Sequence, residues 1–258
     1  MSRSLIVNGD DFASAEAANR GVLRAFKQGI LTSTNLMVPC AWFPHAAQIA
    51  KDHNLPCGVH LTLTCEYDLY HFGPLTRAPR LSRDGKGYTF IKNPNDIPKE
   101  AANEVYDELA AQIQRCIEFG IRPLFLDAHM GAIPRWDNAF LAVAKQLFDK
   151  FQIPFLRMDG KTPQSELPLA SISGLGSGPK ERTLKQNLRA QLEALAPGTH
   201  WMLCHPAEET SETLAMQLHD GFAHARLMDL EALCDKEVRN WLDDLEIQLT
   251  SVRALITC

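Results

Sequence analysis

The chain has no stretch approaching the ~20 consecutive apolar residues that a membrane-spanning helix needs. It also has no excess of positive charge: 26 Lys and Arg stand against 31 Asp and Glu, for a net charge of -5. That balance argues against nucleic acid or an anionic membrane as a partner. Seven cysteines are present but no Cys-x-x-Cys pair, and Cys40, Cys57, Cys116 and Cys204 lie in apolar surroundings. They read as reduced core thiols. Only Met1 to Ser4 precede the first apolar run, too few for a secretory leader. A cytoplasmic location is therefore expected. Internal repeats, low-complexity tracts and domain-dividing linkers are also missing.

What the chain does have is alternation. Its 258 residues suit one large domain, since α/β barrels run to about 250 residues. Short, nearly continuous apolar runs predict buried strands at Leu5–Asn8, Thr34–Val38, Gly58–Leu63, Leu124–Asp127, Phe155–Met158, Ala170–Ser173, Trp201–Cys204 and Ile247–Val252. Helical patterns lie between them. One stripe holds Ala18, Val22, Ala25 and Phe26, with Ser14 as the expected N-cap and Glu16 in the first turn. Another holds Ala101, Val105, Leu109, Ile113 and Ile117; Asp137–Lys150 and Glu181–Leu195 suggest two more. Repeated βα units imply a parallel sheet. The expected fold is α/β, a TIM-like (β/α) barrel of seven or eight parallel strands, irregular or incompletely closed, in a single domain spanning residues 1–258.

One segment breaks the rhythm. Residues 64–98 carry Pro74, Pro79, Pro94 and Pro98 with little periodicity, and begin with Tyr67, Tyr70, His71 and Phe72. Loops this long within compact domains are usually functional or disordered. Two readings stand: a surface insertion of weak hairpin character, or a lid or intersubunit arm carrying aromatics to a ligand.

The chemistry lies where polar residues terminate apolar runs. Asn8, Asp10 and Asp11 follow the first strand, His60 lies in the third, Asp127 and His129 follow Phe125-Leu126, Arg157 and Asp159 end another, and His205 follows Trp-Met-Leu-Cys. In a parallel barrel these ends share one face, where sites assemble. Two adjacent buried carboxylates repel, and a cation resolves the conflict. One carboxylate with His60 and His129 suits a divalent metal with open coordination positions. The other carboxylate is then left as a base, and His205 can protonate a leaving group. Each residue alone has an ordinary explanation. An Asp-Asp pair can be a solvated turn, a strand-end His a hydrogen-bonded side chain, His205-Pro206 a strand terminus, and Arg157 an ion-pair partner of Asp159. Their joint occurrence at successive strand ends carries the reading. His45, His53, His71, His200, His219 and His224 are taken as ordinary.

Five blocks resemble a known family. They are Asn8-Gly9-Asp10-Asp11-Phe12, Gly29 through Val38, Gly58-Val59-His60-Leu61-Thr62-Leu63, Asp127-Ala128-His129-Met130-Gly131, and Cys204-His205-Pro206. In order along nearly the whole chain they resemble the YdjC-like carbohydrate deacetylases, which include chitooligosaccharide and hopanoid-biosynthesis deacetylases. The resemblance implies removal of N-acetyl groups from an amino sugar or oligosaccharide. It implies one divalent metal ion, Mg2+ or Zn2+ with Mn2+ or Co2+ as alternatives, held by Asp11, His60 and His129. Asp10 is then the base, His205 the acid, and a homodimer is expected. Arg157 is assigned to orienting Asp10 or contacting substrate, and Asp127 to accepting a bond from a ligand imidazole. Two departures stand out. Ala13 replaces the usual Gly, which matters if that position needs positive φ, and the Asp-Ala-His block lacks a second histidine, which bears on substrate. Competing readings are a glycoside hydrolase, which needs two carboxylates flanking a bond, and a non-catalytic sugar-binding barrel.

Overall fold

The structure, a computed structural model, describes residues 2–132, 138–156 and 166–256. Among these, seven strands form one all-parallel sheet in the order β4-β3-β2-β1-β6-β5, with β7 also on β1. They are β1 (Arg3–Phe12), β2 (Ser33–Leu36), β3 (Cys57–Leu61), β4 (Leu126–Ala128), β5 (Ser171–Gly174), β6 (Gly198–Cys204) and β7 (Ile247–Leu249). The main helices are α1 (Glu16–Gln28), α2 (Phe43–Asp52), α3 (Ala102–Glu118), α4 (Asn138–Phe151), α5 (Leu184–Glu193), α6 (Ser211–Ala215), α7 (Phe222–Cys234) and α8 (Lys236–Asp244). The barrel is incompletely closed: among the described residues β4 and β5 do not pair with each other. Of the run expected at Phe155–Met158, Phe155 bridges Leu126 of β4 and Glu166, and the remainder falls partly outside the described residues.

β1 is the central strand. β6 runs along it from Arg3 to Gly9, so its other edge is shared: β7 takes Arg3–Leu5 and β2 takes Asn8 onward. Side chains alternate across it. Leu5 and Val7 join the large cluster under the helices, whereas Ile6 packs inside the curled sheet with Phe125, Leu167, Trp201 and Val252. Asn8 and Asp10 share the parity of Ile6, and Asn8 Nδ2 donates to Asp10 Oδ1 at 2.6 Å. The interior is therefore apolar at the strand starts and polar at the strand ends.

Helix α1 begins at Glu16, and Ser14 does not cap it. The Ser14 hydroxyl is buried without a hydrogen-bond partner, because the backbone turns through Asp11–Ser14 before the helix opens. The orphan donors of the first turn are met from elsewhere: Glu16 N donates to Glu212 Oε2 of α6 at 2.9 Å. The six cysteines among the described residues are unpaired, and five are buried. No described helix is long and apolar enough to cross a membrane.

The segment from 64 to 98 is packed rather than loose. Tyr67, Phe72, Leu81 and Phe90 are buried, and Ser82 and Phe90 form an antiparallel bridge. Arg83 ties the segment together by donating to the carbonyls of Phe90, Tyr67 and Cys65. The buried carboxylate of Glu108 in α3 accepts from the backbone N–H groups of Leu75 and Thr76.

Candidate metal centre

A bulge aims the two aspartates. The β1–β2 register shifts between Gly9 and Phe12, and Asp11 and Ala13 adopt φ of 63° and 84°. Those are left-handed conformations that favour glycine. Ala13 therefore sits strained and fully buried, its N–H donating to Asn19 Oδ1 at 2.9 Å. The bulge sends the neighbouring carboxylates to different partners.

Asp11 Oδ2 accepts from Arg226 Nη2 of α7 at 2.8 Å. Asp11 Oδ1 is buried without a hydrogen-bond partner, yet His60 Nε2 lies 3.4 Å away and His129 Nδ1 3.3 Å away. Three donor atoms thus gather at one point. The two distances from Asp11 Oδ1 match the edge of about 3.3 Å in a tetrahedron with bonds of ~2.0–2.1 Å. Each imidazole uses its other nitrogen on a carboxylate: His60 Nδ1 meets Asp127 Oδ1 at 2.9 Å, and His129 Nε2 meets Glu66 Oε2 at 3.0 Å. Such outer partners fix the tautomer and ring orientation of a ligating histidine. His60 and Asp127 are register partners on β3 and β4, so the sheet itself supplies one of these pairs. The orphaned oxygen and the carboxylate–imidazole donor set fit a divalent ion.

Electrostatics agree with that fit. Burial opposes ionisation of Asp11, but Arg226 and the two imidazoles hold its carboxyl well below the usual carboxylate range. Burial would lower both imidazoles, yet Asp127 and Asp11 raise His60 well above its ordinary value, and Glu66 and Asp11 raise His129 to about 9. Without an ion the site favours protons on both rings, where positive charge is needed. Binding a metal would release them. Asp10 lies just outside this group. Burial, with the Asp127 carboxylate close by, pushes it up to about 7. Its Oδ1 accepts from Asn8 and from Asn35 Nδ2, the latter at 2.9 Å.

A cavity of about 560 Å3 opens over the strand ends, and Asp10, Asp11, His60, His129 and His205 all line it. One wall is apolar, with Phe155, Ile172, Leu203 and Phe222. Burial pushes His205 down to about 4, and its backbone N–H donates to Asp229 Oδ2 at 2.8 Å. Arg157 lies outside the described residues.

The structure adds residues that the sequence reading did not single out. Glu66 and Arg226 stand against the candidate ligands, Asn35 against Asp10, and Asp229 beneath His205. His219, read as ordinary, lines the cavity. A signal existed for Asn35, an amide inside the predicted strand Thr34–Val38, since a buried amide requires partners. Arg226 and Asp229 are three residues apart on one helix, a spacing that places both on one face.

A carbohydrate deacetylase of Geobacillus stearothermophilus is 28% identical over 260 residues, which cover 98% of each chain. Among solved structures, a candidate cellobiose-phosphate cleavage protein of Enterococcus faecalis V583 superposes with a TM-score of 0.81 at 24% identity, covering 99% of this chain and 100% of the other. A family 4 carbohydrate esterase from Streptomyces lividans, in complex with acetate, superposes with a TM-score of 0.53 at 10% identity, covering 98% and 95%. At those identities the structural likenesses establish the fold. The sequence model described as YdjC-like protein matches residues 4–244, nearly the whole of the folded unit, and the chain belongs to that family.

Proposed function

We propose that this protein is a metal-dependent hydrolase that removes an N-acetyl group from an amino sugar or oligosaccharide. The observation that carries the reading is the convergence of His60 Nε2 and His129 Nδ1 on the buried Asp11 Oδ1, at 3.4 and 3.3 Å, while a carboxylate holds the other nitrogen of each ring. Asp11, His60 and His129 would hold the ion. When bound, a divalent ion acidifies water and polarises a carbonyl. Zn2+ suits the donor set, with Mg2+, Mn2+ and Co2+ as alternatives set by availability.

The protein's own groups do the rest. Asp10, held through Oδ1, takes the proton from the attacking water. His205 gives a proton to the departing amine. Burial lowers its pKa to about 4, so it starts neutral, takes a proton from solvent and passes that proton to the nitrogen as the C–N bond breaks, while the proton held by Asp10 returns to solvent. Negative charge building on the acetyl oxygen favours that charging. The apolar wall of Phe155, Ile172, Leu203 and Phe222 offers a surface for a sugar ring face and methyl group. A glycoside hydrolase would leave His60 and His129 without a task. Deacetylase relatives support an acetylated sugar as substrate, and a cytoplasmic homodimer belongs to the same reading.

Acetate release from N-acetylated mono- and disaccharides, before and after chelation and with Zn2+ restored, tests this. The expected result is release that chelation abolishes and metal restores. A tightly metal-loaded protein that releases no acetate from any acetylated amino sugar contradicts it.

A further inference from the structure

Asn35 occupies β2, between β1, which carries Asp10, and β3, which carries His60. It is fully buried. Its side-chain amide has two N–H donors, and both are directed at carboxylates: Nδ2 lies 2.9 Å from Asp10 Oδ1 and 2.5 Å from Asp127 Oδ2. Its carbonyl oxygen has no partner. The amide therefore serves as a double donor at the expense of its own acceptor.

The two carboxylates it grips have different jobs in the reading above. Asp127 uses its other oxygen on His60 Nδ1. Asp10 receives both Asn8 and Asn35 on Oδ1, so the two amides leave Oδ2 as the proton-accepting atom. We propose that Asn35 is a positioning residue that joins the base, Asp10, to the carboxylate that orients a metal-binding imidazole, Asp127, through a single NH2 group. The part concerning Asp10 rests on the proposed deacetylation; the part concerning Asp127 and His60 does not.

Asn35→Leu removes both donors and keeps the branching at Cγ. The first readout needs no substrate: Zn2+ affinity by competition with a chelator. The expected loss is roughly 10-fold, the scale of an outer partner of a metal ligand. Asp127→Asn should cost a similar factor, and the double variant no more than the larger single loss. Losses that multiply would overturn the link to Asp127, as would unchanged affinity in Asn35→Leu. The second readout is acetate release at saturating Zn2+. Asn35→Leu should lower kcat by roughly 10²-fold, within the range of general base catalysis, with little change in KM. In an Asp10→Asn background the same change should have little further effect. A full additional loss there would overturn the link to Asp10. If the leucine variant does not fold, Asn35→Thr, which keeps one donor, carries the same two cycles with smaller expected losses. Absence of acetate release in the wild-type protein would count against the proposed function and leave the metal-affinity cycle to decide this one.

Discussion

Arg226 Nη2 donates to Asp11 Oδ2 at 2.8 Å, and the opposite oxygen of that carboxylate is the one that the two imidazoles face. One residue on α7 thereby divides the carboxylate into a structural half and a free half. Arg226 is itself buried, with its guanidinium 4.5 Å from the Phe222 ring centroid. Such a pair is costly to break, because the two imidazoles reach only the other oxygen and Oδ2 is left buried without its partner.

Arg226→Met should therefore destabilise the ion-free protein by roughly 3–5 kcal/mol. Added Zn2+ should recover part of that loss by binding the folded state. Urea unfolding with and without the metal checks both. A stability within experimental error of the wild type would remove Arg226 from the account.

Glu66→Ala should weaken metal binding by roughly 10–100-fold, the usual cost of losing an outer carboxylate. Glu66 accepts from His129 Nε2, so its loss frees the ring to turn Nδ1 away from Asp11. Chelator competition measures the change. An unaltered affinity would remove Glu66 from the centre.

The path from sequence to this site was unevenly legible. β1, β3 and β6 were evident because strands buried on both faces are apolar throughout and end abruptly in polar residues. That pattern brought Asp10, Asp11, His60, His129 and His205 to one cavity. Ser14 misled as a helix cap, because the true acceptor for the first turn, Glu212, is almost 200 positions away and no local signal reports it. Glu66 and Arg226 were hidden for the same reason: their significance lies in contacts between elements distant in the chain. Ala13 was read from a missing glycine, and its φ of 84° shows that the backbone keeps the left-handed turn without one.

Asp229 sets a pH dependence. Burial raises its carboxyl from 3.8 to about 6. Below the lower value it is protonated in both folded and unfolded chains and contributes nothing to the balance. Between the two values the unfolded chain ionises first, so stability falls as pH rises, and the loss persists above about 6. Asp229→Asn cannot ionise, so the substitution removes this slope while keeping an oxygen for the His205 N–H. The stability of the variant relative to wild type should grow across that window and then level off. A constant difference across it contradicts the assignment.

Gly21 of α1 lies against the loop that follows His205. A Cβ there would come within 2.5 Å of the Pro206 carbonyl oxygen and 2.7 Å of Ala207 Cα. Backbone atoms cannot yield as a side chain can. Gly21→Ala should cost about 1–3 kcal/mol as an overpacking change and lower turnover by displacing His205. Thermal unfolding and acetate release check the two effects. Unchanged stability would show that α1 and this loop separate freely.

The central claim is that Asp11, His60 and His129 hold one divalent ion between them. Calorimetric titration with Zn2+ tests it most directly, comparing wild type with Asp11→Ala, His60→Ala and His129→Ala, each shown to be folded by circular dichroism. The account predicts a single tight site in the wild type and its loss in all three variants. Undiminished tight binding in any of them would contradict it.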